Sequence, residues 1–167
     1  MMASTNLQAA ETVKPDSAKT DAPPWQSMEL VGQGKLSVLF WDIYNAELYT
    51  ADGSYKEAKF PIALRLVYLR DFKKKQLISE TEKQWGKLGF KDQQKIKAWL
   101  AILDKLWRDV KEDESITLYI DESESSFFYL NNEQLGKVED PEFAEAFLAI
   151  WLSEKTSAPE VRKKLIS

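Results

Sequence analysis

Gly34-Lys-Leu-Ser-Val-Leu-Phe-Trp-Asp-Ile-Tyr-Asn-Ala-Glu-Leu-Tyr-Thr50 is the stretch that decides the fold. Its apolar residues fall on both parities, with Leu36, Val38, Phe40, Tyr44, Ala46 and Leu48 on one and Leu39, Trp41, Ile43 and Tyr49 on the other. This pattern predicts a long β-strand that is covered on both faces. Asp42, Asn45 and Glu47 interrupt the apolar pattern near its middle, so we expect a bulge or bend there.

Further strand patterns lie on both sides of this stretch. Upstream, residues 28–31 form a short first strand that we expect to turn at Gly32-Gln33-Gly34. Downstream, residues 60–71 alternate strongly, and Pro61 must lie at the start of that strand or on a sheet edge. Shorter strands are predicted over residues 116–120, 127–130 and 134–138.

Four helices are predicted between and after these strands. Residues 77–88 have the spacing of one helical face, and Gly89 is suited to end that helix. Asp92 can cap a second helix, and Asp140-Pro141-Glu142 begins a third. Ser157-Ala-Pro-Glu160 begins a last short helix with a capping-box pattern. Four tryptophans on the helical apolar stripes are expected in the core: Trp85, Trp99, Trp107 and Trp151. The order of strands and helices indicates an α+β fold, in which one antiparallel sheet carries helices on a face.

The composition excludes several classes of function. The 167-residue chain has no cysteine and no histidine, which removes thiolate nucleophiles, the commonest metal ligand and the usual general base near neutral pH. We therefore expect no metal and no cofactor, and binding gains weight over catalysis. A net charge of −4 provides no basic surface for nucleic acid. No apolar run reaches the roughly 20 residues that a membrane-spanning helix needs.

The first 24 residues differ in composition from the rest of the chain. They are rich in Ala, Thr, Ser, Lys and Asp and contain Pro15, Pro23 and Pro24. Such a segment buries too little apolar surface to offset its ordering entropy, so residues 1–24 are predicted to be a disordered leader. Residues 25–167 are predicted to form one domain, since a chain of this length suits a single core.

Three segments of the chain resemble the chalcone isomerase-like proteins, and specifically their bacterial branch. They are GKLSVLFWDIYNAELYT (34–50), ALRLVYLRDF (63–72) and FYLNNEQLGKVEDPEFAEAFLAIWL (128–152). The last is the most specific, because it joins a hairpin directly to an Asp-Pro-Glu-Phe helix start. The resemblance covers residues 25–167 and implies an open-faced β-sandwich, in which helices back a large antiparallel sheet and a cleft lies between the layers.

The resemblance also implies which chemistry to expect. The plant enzymes of the family close a ring by conjugate addition: an Arg holds a phenolate, while a Thr, a Tyr and an Asn organise water around the ketone. By this resemblance the Arg position falls on Met28, which carries no charge, and the Thr position falls on or beside Tyr44. The Tyr position on the helix falls among Lys74–Gln76, and the Asn position falls near Thr81 or Glu82. We therefore expect no chalcone cyclisation; any remaining activity would be that of an intramolecular lyase, an isomerase.

Four residues are the candidates for ligand binding: Tyr44, Arg65, Tyr68 and Met28. They follow from non-catalytic members of the family, some of which bind fatty acids with an Arg and a Tyr in the cleft. Arg65 lies mid-strand among apolar residues, where a charge is costly unless it is paired or faces a ligand. The alternatives are that Arg65 snorkels or pairs with Glu47 or Glu57, and that both tyrosines are ordinary core residues.

The function that these observations predict is non-catalytic binding of a small apolar ligand of the fatty-acid type, which can carry a carboxylate. Two alternatives stay open: a structural or partner-binding protein whose cleft is filled by side chains, and the lyase. Family habit implies a periplasmic location after removal of a signal peptide, with the cytoplasm as the alternative.

Overall fold

The structure, a computed structural model, describes residues 22–167 and shows six strands and four α-helices in that range. The strands are β1 (Glu29–Val38), β2 (Trp41–Thr50), β3 (Ile62–Tyr68), β4 (Ser115–Ile120), β5 (Ser126–Leu130) and β6 (Glu133–Val138). The helices are α1 (Lys74–Leu88), α2 (Gln93–Leu106), α3 (Pro141–Leu152) and α4 (Pro159–Ile166), and a short 3₁₀ turn at Pro24–Ser27 precedes β1. Between residues 22 and 167, none of the helices combines the length and the apolarity of a membrane span.

The six strands form one antiparallel sheet in chain order, so each strand pairs with the next one along the chain. Next to the edge strand β1, β2 pairs with β3 so that Tyr44 lies opposite Tyr68 and Ala46 opposite Leu66. Alternate residues of these strands are buried, which places one face of the sheet against the helices. The predicted α+β fold with helices on a sheet face is confirmed.

Aromatic rings fill the space between the sheet and the helices. Trp85 is fully buried, and its indole N–H donates to the carbonyl of Ala146 at 2.9 Å. Its ring lies 5.4 Å from that of Trp99 and 6.3 Å from that of Phe143. The four tryptophans that were predicted to be core residues are all buried: Trp85, Trp99, Trp107 and Trp151.

Of the four helix ends for which a capping residue was predicted, three are confirmed. Gly89 ends α1 with a left-handed φ of 91°, which glycine adopts without steric penalty. Asp92 accepts the Lys95 backbone N–H, and Asp140 accepts that of Glu142. The predicted capping box of α4 is wrong, because Ser157 instead donates to the side chain of Gln84 on α1 at 2.7 Å.

The hairpin between β1 and β2 also differs from the prediction. The chain runs straight through Gly32-Gln33-Gly34 and reverses at Leu39-Phe40, where Leu39 has a φ of 58°. The predicted single strand over residues 34–50 is therefore wrong. Both residues at the reversal are apolar, so the usual turn signal of Gly, Pro, Asn or Asp is missing. Apolar residues occupy both even and odd positions of residues 34–50 because this segment contains the end of β1, the reversal and the whole of β2.

The predicted bulge is confirmed beside this reversal. Leu36 pairs with Tyr44, while Ser37 pairs with Asp42, so Ile43 is an extra residue in β2. From Tyr44 onward β2 places every second side chain on the helix-covered face of the sheet.

Candidate functional site

A pocket lies between the sheet and the helices α1 and α3. Its cavity of about 650 Å³ is in the range of roughly 300–1,000 Å³ that is typical of small-molecule sites. Its walls are mostly apolar and include Leu36, Val38, Ile43, Tyr44, Leu64, Leu66, Tyr68, Phe72, Leu77, Trp107, Ile116, Leu118, Phe128, Phe147, Ile150 and Trp151. Such walls suit a ligand that is itself largely apolar.

The polar residues of the pocket are concentrated on one flank of α1. They are Gln76, Glu80, Thr81, Lys83, Gln84 and Lys87, joined by Ser37 from β1 and Ser157 before α4. Glu80, Lys83 and Lys87 are exposed, which identifies this flank as the mouth of the pocket. The lysines are the cations among the described residues that line the pocket, and both lie at this mouth.

Two tyrosines bring hydroxyl groups into the apolar interior of the pocket. Tyr44 and Tyr68 face each other across the β2–β3 pair, with ring centroids 5.7 Å apart. The Trp151 indole N–H donates to the Tyr44 hydroxyl oxygen at 2.7 Å, which leaves the Tyr44 proton free to donate. The Tyr68 hydroxyl has no hydrogen-bond partner among residues 22–167. The pair therefore offers two O–H donors to a molecule in the pocket.

Burial keeps both hydroxyls protonated. It raises the pKa of Tyr44 well above its ordinary value, although the hydrogen bond from Trp151 acts in the opposite direction. Burial likewise raises the pKa of Tyr68, and the neighbouring Tyr44 adds to that effect. Both groups are therefore neutral donors throughout the physiological pH range.

This pair predicts that the protein loses stability in alkaline solution. Because folding raises the pKa of both tyrosines above the unfolded value of about 10, their contribution is fully present below pH 10 and lost as the pH rises toward the folded values. We expect a similar melting temperature at pH 7 and pH 9 and a clear decrease at pH 11. Tyr68→Phe should reduce that decrease. An equal decrease in this variant would contradict the assignment.

The other two predicted ligand residues lie on the opposite face of the sheet. The Arg65 guanidinium pairs with the Glu47 carboxylate at 2.8 Å, which is one of the alternatives expected from the sequence. Tyr49 donates to the same carboxylate at 2.8 Å, and burial with this hydrogen bond raises the pKa of Tyr49 to about 12. Met28 packs in a separate small apolar cluster with Trp25. Ligand binding by Arg65 or Met28 stays a prediction that requires a ligand on that face.

The expectation that the protein does not cyclise chalcones depended partly on Met28, which takes the position of the family's Arg. Because Met28 lies outside the pocket, its lack of charge gives no information about the chemistry inside the pocket. No group of three or more Asp or Glu side chains among residues 22–167 is placed to share a metal ion. The pocket's own chemistry is that of hydroxyl donors inside and charged groups at the mouth.

Sequence reasoning missed two features of the site. It placed Trp151 in the core without detecting the hydrogen bond to Tyr44, which joins residues 107 positions apart. It also overlooked the polar flank of α1, although Gln76, Glu80, Lys83 and Lys87 have helical spacing beside the apolar stripe. That spacing is a signal that the sequence alone could have supplied.

Comparison with known proteins supports the assignment of the fold. A family model described as chalcone isomerase-like matches residues 8–167. A protein of Haemophilus influenzae that is described as uncharacterized is 22% identical over 145 residues, covering 87% of this chain and 71% of that protein. The crystal structure of a fatty-acid binding protein of Arabidopsis thaliana has a TM-score of 0.63 at 15% identity, over 84% of this chain and 87% of that one. With the matched model spanning nearly the whole sequence, the chain belongs to the chalcone isomerase-like family.

Proposed function

We propose that the protein binds a small, largely apolar molecule with a carboxyl group, of the fatty-acid type, in the pocket between the sheet and the helices. The observation that carries this proposal is an apolar cavity with two buried hydroxyl donors, Tyr44 and Tyr68. The fold that the chain shares with a fatty-acid binding protein of Arabidopsis thaliana supports the same class of ligand.

The pocket offers each part of such a ligand a suitable environment. An acyl chain gains roughly 0.8 kcal/mol for each methylene group that leaves water, and the walls of the cavity provide the apolar surroundings. A carboxyl group can accept from the Tyr68 hydroxyl and from the free proton of Tyr44. The apolar walls therefore supply affinity, while the hydroxyls orient the ligand.

The cavity favours this proposal over the two alternatives. A cavity of about 650 Å³ leaves space that side chains do not fill, which favours a ligand over a filled cleft. The lyase implied by the resemblance holds its phenolate with an Arg, whereas the described cations of this pocket, Lys83 and Lys87, lie at its mouth. Non-catalytic binding is thus the function that we propose. The proposed location is the periplasm, as the family resemblance implies.

The test is titration of the protein with palmitate and with its methyl ester. Tyr68→Phe is expected to weaken palmitate binding about 10- to 150-fold, since a hydrogen bond to a charged group contributes about 1.5–3 kcal/mol. The affinity for the methyl ester should change less. Tyr68→Phe should leave the free energy of unfolding nearly unchanged, because no described residue loses a hydrogen bond.

Two further variants make this test specific. Tyr44→Phe should weaken palmitate binding and also destabilise the fold by about 1–3 kcal/mol, because it leaves the buried Trp151 N–H without an acceptor. Tyr119→Phe removes a hydroxyl from the opposite face and should bind palmitate as the wild type does. Loss of affinity in Lys83→Gln/Lys87→Gln, with none in Tyr68→Phe, would place the carboxyl group at the mouth and contradict the proposal.

A further inference from the structure

The tip of the β1–β2 hairpin exposes four consecutive large apolar side chains. Val38 is 52% exposed, Leu39 88%, Phe40 97% and Trp41 56%. Hairpin turns normally carry small or polar residues such as Gly, Asn and Asp. Folding alone does not account for a turn of this composition, because none of these side chains is buried by the fold.

The backbone at the tip strengthens this point. Leu39 adopts a φ of 58°, in the left-handed region where asparagine or glycine is better accommodated. An asparagine at this position would relieve the backbone and also remove an exposed apolar side chain. Leu39 is therefore unfavourable for the isolated protein both in its backbone conformation and in its exposure. This combination indicates that the tip contacts another molecule or a surface.

Charged groups of both signs lie next to the apolar tip, since the hollow beside Trp41 is lined by Arg70 and also by Asp42, Asp71 and Glu112. The Arg70 guanidinium carbon lies 4.0 Å from the centre of the Trp41 ring, and Arg70 makes no ion pair within residues 22–167. Lys35 lies on the same hairpin, where it pairs with Asp42 at 3.2 Å with both side chains half exposed. Apolar and aromatic side chains beside cations form the combination that binds the interface of an anionic bilayer.

The tip is also continuous with the mouth of the pocket. Ser37 and Val38 line the pocket together with the exposed Lys83 and Lys87 of α1. A surface in contact with the tip would therefore lie next to the opening of the pocket.

The size of the tip decides what it contacts. Four side chains on a narrow hairpin provide less than the roughly 800 Å² per partner of a standard protein interface. A bilayer needs no complementary surface and accepts a few inserted apolar groups. We propose that the Val38–Trp41 tip docks the protein on anionic lipid bilayers, with the mouth of the pocket facing the lipid. This role goes beyond the proposed function and does not require a ligand in the pocket.

The test is co-sedimentation of the full chain with vesicles of phosphatidylcholine, alone or with phosphatidylglycerol. The wild type should sediment with the vesicles, about fivefold more strongly when phosphatidylglycerol is present, because Arg70 is the cation beside the tip that makes no ion pair among the described residues. Leu39→Asn/Phe40→Ser should reduce the bound fraction at least tenfold while keeping or raising the melting temperature. Leu30→Asn removes an exposed leucine at the far end of β1 and should bind as the wild type does.

Two outcomes would overturn the proposal. One is equal sedimentation of the tip variant and the wild type, or no sedimentation of either. The other is a wild-type dimer that Leu39→Asn/Phe40→Ser converts to a monomer, since a second copy would then cover the tip. Leu66→Trp, which narrows the pocket, should still sediment; its failure would mean that lipid extraction into the pocket, rather than the tip, causes the binding. A failure of palmitate binding alone leaves all these expectations unchanged.

Discussion

Leu66→Trp is expected to lower the affinity for palmitate at least 100-fold. Leu66 lies on β3 in the floor of the pocket, between Ala46 of β2 and Ile116 of β4, and it is 5% exposed. An indole at this position would occupy the space that we assign to the acyl chain. Since each excluded methylene forfeits roughly 0.8 kcal/mol, the loss of four of them corresponds to more than 100-fold in affinity. Isothermal titration with palmitate measures this change.

The neighbouring residue supplies the matched control. Val67 lies on the same strand, but its side chain is on the opposite face of the sheet, where it is half-buried between Asn45 and Ser115. Val67→Trp introduces the same side chain and should change palmitate affinity less than threefold. Both variants should be shown to fold by their circular dichroism spectra and thermal transitions. Equal affinities for Leu66→Trp and the wild type would show that the ligand does not occupy this pocket.

Gly32→Ala is expected to lower the free energy of unfolding by about 3 kcal/mol, the upper part of the usual range for overpacking. A Cβ atom at Gly32 would lie 2.0 Å from the Lys164 carbonyl oxygen and 2.8 Å from that of Leu165. These are backbone atoms of α4, so a side-chain rotation cannot relieve the clash. Because α4 begins directly after the pocket residues Ser157 and Ala158, its displacement should also weaken palmitate binding.

Gly86→Ala is the control for this substitution. Gly86 lies inside α1, and an added Cβ would meet no atom within 4 Å. This variant should raise the free energy of unfolding by about 0.5–1 kcal/mol, because alanine loses less backbone entropy in a helix. Urea denaturation of the two variants and the wild type measures both changes. A stable Gly32→Ala protein would mean that α4 does not pack against β1 as the structure shows.

Local signals in the sequence were sufficient for most of the fold. The helix boundaries at Gly89, Asp92 and Asp140 depend on capping chemistry within a few residues, and each was predicted correctly. The strand faces of β3 followed from simple alternation, which correctly separated Arg65 from Leu64 and Leu66. The β1–β2 reversal could not be predicted in this way, because Leu39 and Phe40 break the rule on which turn prediction depends.

The site was less accessible to sequence reasoning than the fold. Tyr44 and Tyr68 share a face by parity, and their pairing in adjacent strands brings them together as candidates in one pocket. Arg65 lies on the same strand as Tyr68 but on the opposite face of the sheet. Its charge is paired with the carboxylate of Glu47 on the neighbouring strand. Met28 was chosen through a family position rather than from its own surroundings, and that position did not indicate the face of the sheet. The predicted leader lies mostly outside the described residues.

A crystal structure of the protein with bound palmitate would show whether the ligand occupies the pocket between the sheet and the helices. We expect the acyl chain to lie between the sheet and α1, with a carboxyl oxygen within hydrogen-bond distance of the Tyr68 hydroxyl. Palmitate bound beside Arg65 on the opposite face of the sheet, or a pocket that excludes it at saturating concentration, would contradict the proposed binding site.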